Sequence, residues 1–189
     1  MHLENILITG FLPFGGRAIN CSQEVARATA QKLNCPHLIL PVSFDRSFPM
    51  FKNYVEKNGP FDFIIQLGEA GTRQKIGIER LALNWRESKN ADEDGHLPTI
   101  GSIQGESPIA ILNPQIRPDH FADTFNSGRV EFSFSAGTFV CNDLYFQSLH
   151  FFKNSRTQIH FIHLPYFESI PFEDQIDIIR DLIKAVQIP

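Results

Sequence analysis

Three side chains in this sequence could carry nucleophilic chemistry: Cys141, His163 and Glu79. Cys141 lies in Ser135-Ala136-Gly137-Thr138-Phe139-Val140-Cys141-Asn142. A β-like run (Val130, Phe132, Phe134) leads into that stretch, and a helical pattern (Val140, Leu144, Leu149, Phe152) follows it. This order predicts Cys141 where a strand hands over to a helix. Unpaired backbone N–H groups and the helix dipole favour negative charge there. A thiol so placed is expected to ionise more readily than a free one and to act as a nucleophile. The plain alternative is a small buried residue filling a gap at the helix start. His163 precedes Leu164-Pro165 at the end of an apolar strand. It is either a base or a core or chain-end histidine. His160, three residues earlier, falls on the opposite strand face and is the weaker candidate.

Glu79 lies in an extended run, Lys75 to Leu83. Ile76, Ile78 and Ala82 form one face, and Glu79, Leu81 and Leu83 the other. A carboxylate among apolar side chains needs a positive or hydrogen-bonding partner. A salt bridge to Arg73 or Arg80 would supply one. So would an imidazole N–H, which would make Glu79 the third member of a nucleophile–base–orienter set. Phe11 and Phe14 flank Pro13 at the end of the first strand. They either close the sheet edge or wall an apolar pocket. Gly15-Gly16 belongs to no G-x-G-x-x-G or G-K-[ST] pattern, so a phosphate loop is discarded.

The elements that must position these residues alternate. Strands are expected at Asn5–Thr9 (ended by Gly10), His37–Val42, Phe61–Leu67 (closed by Gly68) and Gln158–Leu164. Helices are expected at Ser22–Leu33, Asp45–Lys57 with Pro49 in the first turn, Asp119–Asn126 and Phe172–Val186. Ile109–Leu112 reads equally as a short strand or a helix start. Asn84 to Gly105 is polar and rich in Gly and Pro, a long loop that is functional or mobile. The alternation predicts an α/β fold: one domain over 1–189, a three-layer αβα sandwich with a mostly parallel central sheet. Ligands gather beyond the C-terminal strand ends in such folds.

Composition narrows the function. The chain carries 18 Phe, which implies an aromatic core or pocket. A net charge of −4 leaves no basic footprint, so nucleic acid is not an expected partner. No apolar run is long enough to span a bilayer, and Met1–Asn5 lacks a signal peptide's basic start. Cys21, Cys35 and Cys141 are an odd number without a C-x-x-C pair. That argues against a disulfide framework or zinc site and suits a reducing cytoplasm.

Six stretches in this order resemble the pyroglutamyl peptidase I family, cysteine exopeptidases also called pyrrolidone-carboxylate peptidases. They are Thr9 to Gly16, Leu40-Pro41-Val42 with Phe44, Gly71 to Arg73, Ile78 to Asn84, Ser135 to Asn142, and Phe161 to Tyr166. The resemblance implies a triad of Cys141, His163 and Glu79. It implies a pocket for the substrate ring lined by Phe11, Phe14, Phe139 and Val140. Arg73 is a further candidate at the substrate site, where it could position a loop carbonyl. It also implies a single αβα sandwich, no metal or other cofactor, and cytoplasmic use. The substrate would be a peptide with an N-terminal pyroglutamate, and a homo-oligomer is compatible.

Several positions depart from the family pattern. Counted without gaps, Lys89-Asn90-Ala91-Asp92-Glu93 stands for Arg-Ile-Pro-Asp-Asn, which places Asn90 in the pocket. Gly71-Thr72-Arg73 stands for Gly-Gly-Arg, and Glu69 stands where Gln or Leu is more usual. Ser-Thr-Leu-Pro is not recognisable near Asn113-Pro114-Gln115, and the part after Tyr166 is short. Two other functions follow from these departures: an N-acyl amidase with altered specificity, motivated by Asn90, and a binding protein that kept the triad without a competent pocket.

Overall fold

The computed structural model describes residues 5–121 and 127–186. The chain order is β1 (Ile6–Phe11), α1 (Cys21–Leu33), β2 (His37–Leu40), α2 (Ser47–Asn58), β3 (Phe63–Glu69), β4 (Ile76–Glu79), β5 (Leu81–Leu83) and β6 (Ala110–Leu112). A 3₁₀ turn follows at Pro118–Phe121, then β7 (Val130–Ser133), α3 (Val140–Phe151), β8 (Gln158–Leu164) and α4 (Phe172–Val186). Six strands form one sheet in the order β2-β1-β3-β8-β4-β7. All pairs are parallel except β4 with β8, which is antiparallel. β5 and β6 pair apart, as an antiparallel ribbon.

The layers follow from alternation along the buried strands. Ile6, Ile8, Ile65, Ile78 and Ile162 face α1 and α4. Leu7, Ile64, Ile159 and Phe161 face α2 and α3. α1 begins on Asn20, whose side chain accepts from Ser22 N, and ends on Asn34 in the left-handed conformation. α2 begins at Ser47, so Pro49 lies in its first turn, where its missing N–H leaves no gap.

Several expectations are corrected. β1 runs through Gly10 to Phe11 because β2 keeps pairing with it there. β3 likewise runs through Gly68 to Glu69, paired with His163 and Leu164. β2 stops at Leu40, before Pro41. The Lys75–Leu83 run is two strands, not one. The chain leaves the main sheet at Arg80, whose N–H donates to Ser133 O at 2.7 Å and whose guanidinium lies over Phe132 and Phe134. Ile109–Leu112 resolves as strand β6. Of the expected helix Asp119–Asn126, only the 3₁₀ turn falls within the described residues, since 122–126 lie outside them.

The long segment after Asn84 is built on Asp92. Its buried carboxylate accepts from Phe44 N (2.9 Å), Asp94 N (3.0 Å) and His96 N (2.9 Å). Glu93 then reaches Gly15 N at 2.8 Å, and Arg86 bridges to Gly101. A segment held by so many bonds to the body of the protein is not the mobile loop its composition allows.

His160 is the core's one polar misfit on β8. It shares a face with Ile162 and Leu164, is fully buried, and neither ring nitrogen has a hydrogen-bond partner. Burial pushes its pKa down from 6.5 to about 4. An unfolded histidine takes up its proton near pH 6.5, so below that the unfolded chain binds more protons than the folded one. The stability this neutral ring contributes is complete above pH 6.5 and lost as pH falls towards 4, roughly 2 kcal/mol of it by pH 5. His160→Phe should therefore lose less melting temperature between pH 7 and pH 5 than the parent. Equal losses in thermal melts would show that another group sets the acid sensitivity.

Candidate active site

The site begins with the antiparallel register of β4 on β8. Glu79 pairs with Phe161 and Gly77 with His163. Glu79 and His163 are therefore diagonal neighbours on one face, within reach of each other's side chains. His163 Nδ1 lies 2.7 Å from Glu79 Oε1, and both side chains are buried. A carboxylate only accepts, so Nδ1 carries the proton and Nε2 is free to take one. Arg73 Nη1 lies 2.8 Å from the same Oε1. The two partners weighed for Glu79, guanidinium and imidazole, are thus both present. Gly77 makes this possible, because a Cβ there would sit 2.1 Å from Arg73 Nη1. Arg73 continues through Nη2 to Ser135 O at 3.1 Å, in the segment that leads to Cys141.

Cys141 is the second residue of α3, whose N-cap is Phe139. The strand does not hand over directly: β7 ends at Ser133, and residues 134–139 connect it to the helix. Neighbouring segments pin the helix start. Thr138 Oγ1 donates to Glu87 O (2.6 Å). Asn142 copies a strand's pairing with β5, accepting from Leu83 N (2.8 Å) and donating to Leu83 O (2.9 Å) and Trp85 O (3.1 Å). The expected easy ionisation does not hold for the thiol at rest. Loss of solvent and the Glu79 carboxylate push it up to about 12, against the opposing pull of Arg73. Among the described residues nothing hydrogen-bonds Cys141 Sγ. The sulfur and the imidazole nevertheless flank one point. A Cβ on Gly68 would lie 3.0 Å from Cys141 Sγ, 3.0 Å from His163 Cδ2 and 2.9 Å from Phe161 Cε1.

A cavity of about 220 Å³ opens beside the sulfur, beyond the ends of β1, β3 and β8. Phe11, Phe14, Phe139 and Val140 line it, together with Cys141 and His163. Two residues expected there are elsewhere. Asn90 is exposed on the segment anchored by Asp92, where its N–H meets Ser88 Oγ. Ungapped counting missed how that anchor turns the chain. Arg73 lies behind Glu79, not in the cavity wall. Four lining residues carry no sequence assignment: Asn20, Val42, Glu69 and Ala136. Val42 and Ala136 sit inside the matched motifs, which was their only signal. Asn20 donates to Leu12 O (3.0 Å) while capping α1. Glu69 accepts from Cys21 N at 2.7 Å, so a carboxylate meets the positive end of α1. Among the described residues, no group of three or more His, Cys, Asp or Glu is placed to hold a metal ion.

The family model described as pyroglutamyl peptidase matches residues 4–178. The pyrrolidone-carboxylate peptidase of Bacillus cereus (strain 03BB102) is 34% identical over 171 residues, covering 87% of this chain and 79% of the relative. Among solved structures, the pyrrolidone carboxyl peptidase from Thermococcus litoralis superposes with a TM-score of 0.88 at 30% identity. That match covers 97% of this chain and 93% of the other. The pyroglutamyl peptidase I from Bacillus amyloliquefaciens gives 0.85 at 25% identity, covering 98% and 96%.

The shared point above Gly68 can be tested without a substrate. Gly68→Ala should force Cys141 and His163 apart. Alkylation of Cys141 by iodoacetamide at pH 8 should then slow several-fold, while Cys35 reacts as in the parent. An unchanged Cys141 rate would show that the imidazole's nearness does not govern the thiol.

Proposed function

The chain belongs to the pyroglutamyl peptidase family, and from that premise we propose that Cys141, His163 and Glu79 are its nucleophile, general base and orienting carboxylate. The enzyme is a cysteine peptidase that hydrolyses the amide bond after an N-terminal pyroglutamyl residue. The observation that carries the residue roles is the 2.7 Å contact from His163 Nδ1 to Glu79, with Cys141 Sγ and the His163 ring facing one point.

Desolvation and the Glu79 carboxylate favour the protonated thiol, so in this reading its proton leaves as the sulfur attacks. Cys141 Sγ adds to the carbonyl carbon as His163 Nε2 takes the thiol proton. Glu79 holds the ring and stabilises the imidazolium that forms. The oxyanion meets the first N–H groups of α3, which have no partners within the helix. His163 gives its proton to the leaving amine, and the C–N bond breaks to leave a thioester. Water, deprotonated by His163, then releases 5-oxoproline and restores the thiol. The lactam ring is small, flat and uncharged, which suits walls of Phe11, Phe14, Phe139 and Val140. Arg73 holds Glu79 from behind and steadies the Ser135 carbonyl, so its part is positioning.

The amidase alternative loses its motive, since Asn90 lies on the surface and not in the pocket. The free thiols Cys21, Cys35 and Cys141 support a reducing, cytoplasmic location. No helix among the described residues is long and apolar enough to cross a membrane. The acidic net charge speaks against a nucleic-acid partner.

Cys141→Ala and His163→Ala should lose nearly all hydrolysis of a pyroglutamyl anilide while keeping the parent's circular dichroism. Normal turnover by either refutes its role. Glu79→Gln should lower kcat by a factor on the order of 10² to 10⁴. The thiol can be followed separately. With a pKa near 12, little thiolate exists at neutral pH. In His163→Ala, alkylation of Cys141 should therefore rise about tenfold per pH unit from pH 7 to 10, with no plateau. A plateau below pH 9 would mean that the thiol is already ionised without its base.

A further inference from the structure

Tyr145 stands one helical turn after Cys141, on the same face of α3. It is fully buried, and its hydroxyl donates to the backbone carbonyl of Glu79 at 2.7 Å. The same hydroxyl accepts from Asn113 Nδ2 at 3.1 Å, and that amide also donates to Ile159 O at 2.6 Å. Asn113 N closes the network on Arg80 O at 2.8 Å. The Tyr145 ring packs on Phe161 with centroids 5.4 Å apart, and Phe161 packs on His163 at 5.0 Å. One phenol is therefore joined to all three members of the site: through the helix to Cys141, through its hydroxyl to Glu79, and through Phe161 to His163.

Glu79 needs such a tether. It is the last residue of β4, after which the chain turns out of the sheet at Arg80. The ladders of β4 with β7 and with β8 both end at this residue. The side chain hanging from it must keep a 2.7 Å bond to the imidazole while Arg73 pulls on the same oxygen.

We propose that Tyr145, backed by Asn113, is a positioning residue of the catalytic site. Its hydroxyl fixes the backbone of Glu79 to the helix that carries the nucleophile, and so sets the spacing of sulfur, imidazole and carboxylate. This rests on the triad reading given above. Tyr145 lies outside the cavity lining, so its loss should act on the chemical step and leave ring binding alone.

Tyr145→Phe keeps the ring and removes the hydroxyl. With a pyroglutamyl anilide, kcat should fall by a factor on the order of 10 to 100, with KM within about twofold of the parent. Asn113→Leu should shift kcat the same way by a smaller factor, and serves if Tyr145→Phe does not fold. The control is Ser148→Ala on the same helix. It breaks a comparable buried hydrogen bond, Gln66 Nε2 to Ser148 Oγ at 2.9 Å, between residues that neither line the cavity nor bond to Cys141, His163 or Glu79. It should lower the melting temperature similarly and leave kcat at the parent value. A parental kcat in folded Tyr145→Phe overturns the inference, as does an equal kcat loss in Ser148→Ala. If the parent itself releases no 5-oxoproline, the functional reading fails, and alkylation of Cys141 then decides the tether. A slower rate in Tyr145→Phe than in the parent at pH 8 upholds it, and an equal rate overturns it.

Discussion

A single carboxylate oxygen holds this site together. Glu79 Oε1 meets the His163 imidazole on one side and the Arg73 guanidinium on the other, with no solvent around it. A buried charge is costly unless its partners are in place before it is needed. Much of the surrounding architecture can be understood as supplying those partners. Gly77 leaves room for the guanidinium, the β4–β8 register brings the histidine alongside, and Tyr145 anchors the carbonyl of Glu79 itself. Arg73 then passes the constraint on to Ser135, so the carboxylate and the approach to the nucleophile share one support.

The same charge also acts on Cys141. Burial does most to keep the thiol's proton, and the Glu79 and Glu69 carboxylates add to it. The helix N-terminus is too weak to reverse that, since its effect is worth at most about 2 kcal/mol. What the helix start offers is position and free N–H groups for an oxyanion. In the proposed mechanism the imidazole, held by Glu79, takes the thiol proton as the sulfur attacks the carbonyl.

The cavity belongs to the other side of the same design. Apart from Asn20 and Glu69, which also line it, its walls are mainly rings and small or aliphatic side chains from the segments after β1 and around the start of α3. Asp92 gathers three backbone N–H groups and fixes the 84–105 segment against Phe44, which packs edge-on to Phe139 at 5.2 Å. A polar segment thus stiffens an apolar pocket without entering it. This is why Asn90, close to that anchor in sequence, lies outside the wall.

Read alone, the chain already determines its alternating elements, its layered α/β class and its three chemistry-bearing side chains. Those properties reside in local hydrophobic period, helix caps and residue type, as the match of β8 and α4 to their expected limits illustrates. Single-chain reading fails wherever a contact across the fold overrides the local pattern. The break between β4 and β5 at Arg80 is one case, the placing of Asn90 another, and the raised thiol pKa a third. The partner of Glu79 was open for the same reason: both candidates fit the pattern, and only the antiparallel register of β4 on β8 brings His163 and Arg73 to one oxygen. Register and burial depend on residues 84 positions apart, and no local periodicity encodes them.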